Sequence, residues 1–126
     1  MKRLIMAVIA LTSAITISFV GFFCVNHTCN RLEDELIKLS DYANENQSEK
    51  AIQKSEELIV LWDEIHGRIE SFIDHDETDK LEEIIRNLPI YARQGNMDRL
   101  EQQIDLAIDE IGQIIRSEKP IMSNIF

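Results

Sequence analysis

The sequence predicts an all-α protein in which an N-terminal transmembrane helix leads into a four-helix domain of two antiparallel hairpins. Three observations support this fold class. Residues 4–30 contain no Asp, Glu, Lys or Arg. The apolar residues that follow recur at helical spacing. The whole chain has only four glycines and two prolines, and the part beyond the apolar segment is dominated by Leu, Ile, Glu, Asp, Lys and Gln, which is a helix-forming composition.

The apolar segment has the length of a membrane span, because about 20 apolar residues in a helix cross a hydrocarbon layer of ~30 Å. Lys2 and Arg3 precede it, and basic flanks stay in the cytoplasm. We therefore expect residues 1–30 to form a signal anchor in a cell membrane, with residues 31–126 outside the cytoplasm. The alternative is a cleaved signal peptide, whose apolar core would be shorter and would end in small residues rather than in Phe22 and Phe23.

Small residues on one face of the apolar helix indicate a contact with another helix, since close packing drives helix association in lipid. The apolar tail at residues 121–126 is a second candidate contact. The predicted interaction residues are Ala10, Ala14, Ser18, Gly21 and Phe126.

The charge of the domain limits its partners. All 23 acidic residues but only 11 of the 13 basic residues follow the apolar segment, which leaves a net charge of −12. Phosphate recognition needs clustered Lys and Arg, so this charge argues against a nucleic acid partner. It is compatible with cations or with a basic protein, and it also keeps an exposed domain soluble.

Helical spacing divides the domain into four predicted helices. The first begins near Leu32 and continues from the span, and the second covers residues 49–73 with Ser48 as its N-cap. The third contains Pro89, where we expect a kink or a break. The fourth covers residues 97–116 and ends at residues 117–120. The predicted core residues are Trp62, His66, Ile69, Phe72, Leu81, Ile85, Leu88, Ile104 and Ile111.

The chain aligns with itself at an offset of 49 residues. This offset pairs Tyr42 and Ala43 with Tyr91 and Ala92, and it also pairs the polar break at Gln47 with the one at Asn96. Two helical hairpins packed against each other would produce this pattern.

Histidines are the candidates for chemistry. His66 occupies a row of isoleucines one turn after Trp62, where a core histidine, a pH-responsive group or a metal ligand would each fit. His75 and Asp76 lie in an acidic turn that is suited to capping the next helix or to weak cation binding. Cys24 and Cys29 point about 140° apart on one helix, so they cannot bond to each other unless the helix breaks.

The stretch from Trp62 to His66 and the stretch SFIDHDE at residues 71–77 resemble a bacterial family called domain of unknown function 4363. The resemblance includes the Trp-x-x-x-His spacing, the Phe-Ile-Asp-His segment and the carboxyl end Ser-Asn-Ile-Phe. It implies a short N-terminal membrane segment and an acidic helical remainder, and it implies no activity, ligand or catalytic residue.

These features predict a non-enzymatic accessory protein that docks on another membrane protein or on a second copy of itself. The sequence contains no nucleophile elbow, phosphate-binding glycine loop or zinc-protease motif. We expect no cofactor, and no small-molecule substrate is evident. The alternative is a cation- or pH-responsive sensor built around His66 and the acidic turn, with His66, His75 and Asp76 as weak metal candidates.

Overall fold

The computed structural model describes residues 1–70 and 75–125, with the side chains of residues 117–125 excepted. Four helices follow one another: α1 (Lys2–Asn44), α2 (Ser48–Glu70), α3 (His75–Arg93) and α4 (Met97–Ile125). These residues contain no strand. Each helix packs mainly against two others, in the cycle α1–α2–α3–α4–α1. The predicted all-α fold of two antiparallel hairpins is confirmed, and it forms an up-down-up-down bundle.

Helix α1 joins the apolar segment to the bundle without interruption. Its 43 residues extend over about 65 Å at ~1.5 Å per residue. Its buried residues begin at Gly21, so the preceding part protrudes from the bundle. The most apolar window of this helix has a mean hydropathy of 2.3 and is only 11% buried. Length and composition therefore allow α1 to cross a membrane. A signal sequence near an N-terminus would have the same length and composition.

One stripe of each helix builds the core, with apolar residues three and four positions apart. Among the predicted core residues, Trp62, Ile69, Leu81, Ile85, Leu88, Ile104 and Ile111 are at most 1% exposed. His66 lies instead at the edge of the core, where its side chain is 27% exposed. Phe72 lies outside the described residues.

The turns inside the two hairpins have the same backbone geometry. Asn46 has φ 56° and Gly95, which lies 49 residues later, has φ 71°. The N–H of Gln47 donates to the carbonyl of Tyr42 at 2.9 Å, and the N–H of Asn96 donates to that of Tyr91 at 3.1 Å. A left-handed residue with such a hydrogen bond is a common way to end a helix. The sequence offset thus corresponds to a structural repeat, and we call residues 49 positions apart repeat partners.

A cation lies over the tyrosine ring beside each of these turns. The Nζ of Lys50 lies 5.9 Å from the centre of the Tyr42 ring. Its repeat partner Arg99 places Cζ 5.7 Å from the centre of the Tyr91 ring. The repeat therefore extends from the backbone to side-chain contacts on the surface.

Two predicted helix boundaries are wrong. The carbonyl of Gln47 accepts the first hydrogen bond of α2, from the N–H of Ala51 at 2.9 Å, so Gln47 rather than Ser48 holds the N-cap position. Helix α4 continues to Ile125, beyond the end predicted at residues 117–120. The much longer α1 packs beside α4, so a neighbouring helix is available to support the extension.

The break expected at Pro89 does not occur. Pro89 is a buried residue inside α3, and the helix continues to Arg93. A proline removes one backbone hydrogen bond from a helix, but here the ring also adds apolar surface to the buried face. Burial of that surface offsets part of the cost.

Candidate functional site

Each hairpin carries a groove on its outer surface between its two helices. The groove between α1 and α2, which we call the first groove, has a volume of about 310 Å³, and Tyr42, Lys54 and Glu57 contribute to its lining. The second groove, between α3 and α4, has a volume of about 360 Å³. Its lining residues are Lys80, Glu83, Ile84, Asn87, Tyr91, Gln103, Leu106 and Glu110. Tyr91, Gln103 and Leu106 are the repeat partners of Tyr42, Lys54 and Glu57.

An ion pair joins α1 to α2 beside the first groove. The Nζ of Lys54 lies 2.6 Å from the Oε2 of Glu35 on α1 and 3.2 Å from the Oε2 of Glu57 on its own helix. The side chains of Lys54 and Glu35 are only 16% and 24% exposed. The hydrogen bond from Lys54 lowers the pKa of Glu35, and the same bond raises the pKa of Lys54. The first groove is thus occupied by its own charged side chains.

The second groove does not contain this triad of charged side chains. Ile84, Gln103 and Leu106 occupy the positions of Glu35, Lys54 and Glu57. Leu106 is 51% exposed. An exposed leucine is common on its own, but this one lies in a groove together with Ile84 and Tyr91. The second hairpin therefore presents apolar surface where the first presents an ion pair.

Glu110 adds a polar group to the second groove. Its Oε1 is buried, and no hydrogen-bond partner reaches it within the described part of the chain. The repeat partner of Glu110 is Leu61, which is 9% exposed. A buried carboxylate oxygen without a donor is costly. The second groove thus combines the apolar side chains of Ile84 and Leu106 with an oxygen that has no hydrogen-bond donor among the described residues.

The predicted small-residue face of α1 divides into two parts. Ala10 and Ala14 are exposed, whereas Ser18 is half-buried and Gly21 is buried. The Ser18 hydroxyl donates to the carbonyl of Ala14 at 2.9 Å. The bundle therefore covers the part of the face near Gly21, and the part near Ala10 is exposed. Phe126, the other predicted contact, lies outside the described residues.

The predicted histidines meet at one carboxylate. The rings of His66 and Trp62 are 5.3 Å apart between centres. The Nδ1 of His66 lies 3.9 Å from the Oε2 of Glu70, and the Nδ1 of His75 lies 3.0 Å from its Oε1. Asp76 is exposed on the first turn of α3. Within residues 1–70 and 75–125, no group of three or more His, Cys, Asp or Glu side chains is placed to hold a metal ion.

Cys24 and Cys29 form no disulfide bond in the structure. Cys24 is half-buried, and Cys29 is 1% exposed in the core. Both belong to the continuous helix α1, in agreement with the expectation that they do not bond to each other.

Sequence reasoning missed the second groove. The 49-residue offset contained the signal, because it pairs Glu57 with Leu106 and Leu61 with Glu110. In the first pair the second hairpin has an apolar residue in place of an acidic one, and in the second pair it has an acidic residue in place of an apolar one. Helical spacing alone did not reveal these differences, because Leu106 and Glu110 both lie outside the buried stripe of α4.

The sequence matches the family described as Domain of unknown function (DUF4363) over residues 19–125. No curated protein and no solved structure matches it. The match covers the helical bundle and the end of the apolar segment that adjoins it. It agrees with the resemblance seen at Trp62 and His66. The chain therefore belongs to the DUF4363 family.

Proposed function

We propose that this protein is a membrane-anchored interaction module that holds an acidic helical bundle outside the cytoplasm. The observation that carries the proposal is the continuity of α1, which extends from the exposed apolar end into the core as one helix. Lys2 and Arg3 at the start of α1 favour a cytoplasmic N-terminus. A bundle joined to its anchor by an unbroken helix keeps one orientation relative to the bilayer, as a docking surface would require.

The charge on α4 supports a basic partner. Asp98, Asp105 and Asp109 are exposed, and the ion pairs found in the described part of the chain join side chains of α1, α2 and α3. The carboxylates of α4 therefore stay available for Lys or Arg side chains of another protein. Complementary charge increases the rate and the specificity of association.

Cysteine labelling in intact cells tests the anchor and its orientation. In a Cys24→Ser background, Cys29 is shielded by the core, so a single new cysteine reports on its own position. We expect Asp109→Cys to react with a membrane-impermeant maleimide in intact cells. Leu4→Cys, as the matched control at the other end of α1, should react only after permeabilisation. The reverse pattern, or a secreted polypeptide that begins beyond residue 20, would overturn the proposal.

A second candidate function is a proton-responsive module, and Glu70 is the specific observation that favours it. The Glu70 carboxylate faces both His66 and His75, and histidine is the side chain that ordinarily changes charge between pH 5 and 8. Protonated imidazoles would strengthen the contact between the end of α2 and the start of α3.

Melting curves of the full-length protein between pH 5 and 8, with and without calcium or zinc, test this candidate. A sensor would show a midpoint that shifts with pH or with the cation, and Glu70→Gln would reduce the pH-dependent shift. A docking module would keep the same midpoint under all these conditions.

A further inference from the structure

We propose that the second groove, between α3 and α4, is the docking site for a basic amphipathic helix of a partner protein. The inference rests on the proposed function, since it names the surface and the chemistry of the partner that the interaction module would take. It is carried by a comparison of the two hairpins, which share one backbone geometry and differ at this groove.

The first step is the loss of the ion triad. The repeat places Ile84, Gln103 and Leu106 where the first hairpin has Glu35, Lys54 and Glu57. The two grooves have volumes of about 310 and 360 Å³, and they differ in the side chains at these three positions. Among the described side chains, an ion pair joins the two helices of the first hairpin, and none joins α3 to α4. The second groove is left with apolar side chains that another helix can cover.

The second step is the buried oxygen of Glu110. Its Oε1 finds no hydrogen-bond donor among the described residues, although Lys80 lines the same groove. An inserted Lys or Arg side chain would supply the donor, and a charge-assisted hydrogen bond is about twice as strong as a neutral one. The first hairpin has Leu61 at this position, which offers no oxygen there.

The third step is the charge around Leu106. Asp105 precedes it, Asp109 follows one turn later, and Glu83 borders the groove from α3. This arrangement of carboxylates around exposed leucine fits a helix with apolar residues three or four positions apart and with flanking Lys or Arg. Helix-in-groove recognition commonly uses such a stripe. An acidic partner helix would be repelled from the same rim.

Photo-crosslinking of the full-length protein in the cells that make it tests this assignment. A benzoylphenylalanine at position 87 replaces Asn87 in the second groove, and the matched probe replaces its repeat partner Lys38. We expect a discrete adduct from position 87 and none from position 38. Mass spectrometry of the adduct should identify a peptide with Lys or Arg flanking apolar residues at helical spacing.

Two variants then test the chemistry of the groove. Leu106→Glu and Glu110→Leu each introduce the residue of the first hairpin, so both should fold, and melting curves check this. Each should reduce the adduct yield from position 87 by about tenfold, the effect of ~1.4 kcal/mol of binding free energy. Val60→Glu, at a residue that is 63% exposed on α2, is the control and should leave the yield unchanged.

The outcomes separate this inference from the proposed function. An adduct that is lost in both variants and contains a basic amphipathic segment supports the docking site. An adduct with a second copy of this chain or with an acidic segment, or a yield unchanged in the variants, overturns it. Adducts from position 38 alone would be consistent with an interaction module and would exclude the second groove as its docking site. No adduct from either position would count against both.

Discussion

The ammonium of Lys54 on α2 donates a 2.6 Å hydrogen bond to the carboxylate of Glu35 on α1. The pair is mostly shielded from water, and it joins the two helices of the first hairpin. The second hairpin reaches the same packing with Ile84 and Gln103 at these positions. The ion pair is thus one of two solutions that this bundle uses to pack a hairpin, and its removal has measurable consequences.

We expect Lys54→Met to destabilise the bundle by about 1 to 2 kcal/mol, because it leaves Glu35 and Glu57 without their cation in a shielded site. Arg93→Met is the matched control. Arg93 contacts Glu56 at 2.7 Å, but these side chains are 58% and 51% exposed, so its loss should cost less than ~0.5 kcal/mol. Urea unfolding in detergent micelles measures both. Equal costs for the two variants would contradict the role assigned to burial.

The same ion pair predicts a pH dependence. Lys54 lowers the pKa of Glu35 below its ordinary value of 4.5, so the stability from this carboxylate is present above pH 4.5 and is lost as the pH falls through the lowered pKa. The pKa of Lys54 is raised above 10.5, so its contribution is present below that pH and is lost only in stronger alkali. The pair is therefore complete between about pH 5 and 10.

Glu35→Gln should accordingly cost stability at pH 7, and the difference from the unmodified protein should shrink as the pH falls below about 4. Thermal melting between pH 7 and 3 measures this. Glu56→Gln, which removes a carboxylate from an exposed pair, controls for the change in net charge. A difference that stays constant over the whole range would be inconsistent with the Glu35–Lys54 contact.

The left-handed turn residues predict opposite effects for related substitutions. Gly95→Ala should cost about 1 to 2 kcal/mol, because φ of +71° is unfavourable for an L side chain, and no atom lies within 4 Å of the added Cβ. Asn46→Gly, at its repeat partner, should be neutral or stabilising by a few tenths of a kcal/mol.

Gly67→Ala is the control for these turn variants. Gly67 lies inside α2, and its added Cβ also meets no atom within 4 Å, so alanine should stabilise the helix by about 0.5 to 1 kcal/mol. Denaturant unfolding measures all three variants. A stabilising Gly95→Ala would show that the turn does not have the described backbone conformation.

Deletion of residues 1–18 should leave the bundle folded. The buried residues of α1 begin at Gly21, and the family match begins at residue 19, so the deleted part contributes no core residue. We expect a soluble protein with the helical circular dichroism of four helices and a cooperative melt. Aggregation or loss of helicity would mean that the apolar end of α1 is needed for the bundle to fold.

Much of this fold could be predicted because its information is local. Apolar residues three and four apart define each buried stripe, as at Leu81, Ile85 and Leu88, and polar breaks define the turns. The second groove was less accessible, because whether Leu106 faces a neighbour or water depends on where α3 lies. His66 was placed in the core for the same reason, since its row of isoleucines lies at the edge of the core rather than inside it.

The sequence by itself determined the helical class, the apolar N-terminal segment and the 49-residue repeat, because hydrophobic periodicity and segment length can be read along the chain. Only the tertiary structure decided how far α4 continues, that α3 passes through Pro89, and which hairpin has an open groove. The path of α3 through Pro89 and the open groove depend on packing against a neighbouring helix, and a pattern along one chain segment does not specify that neighbour. Glu110 shows the difference most clearly. The sequence identifies it as an acidic residue, but its Oε1 becomes buried only when α3 and α4 pack together.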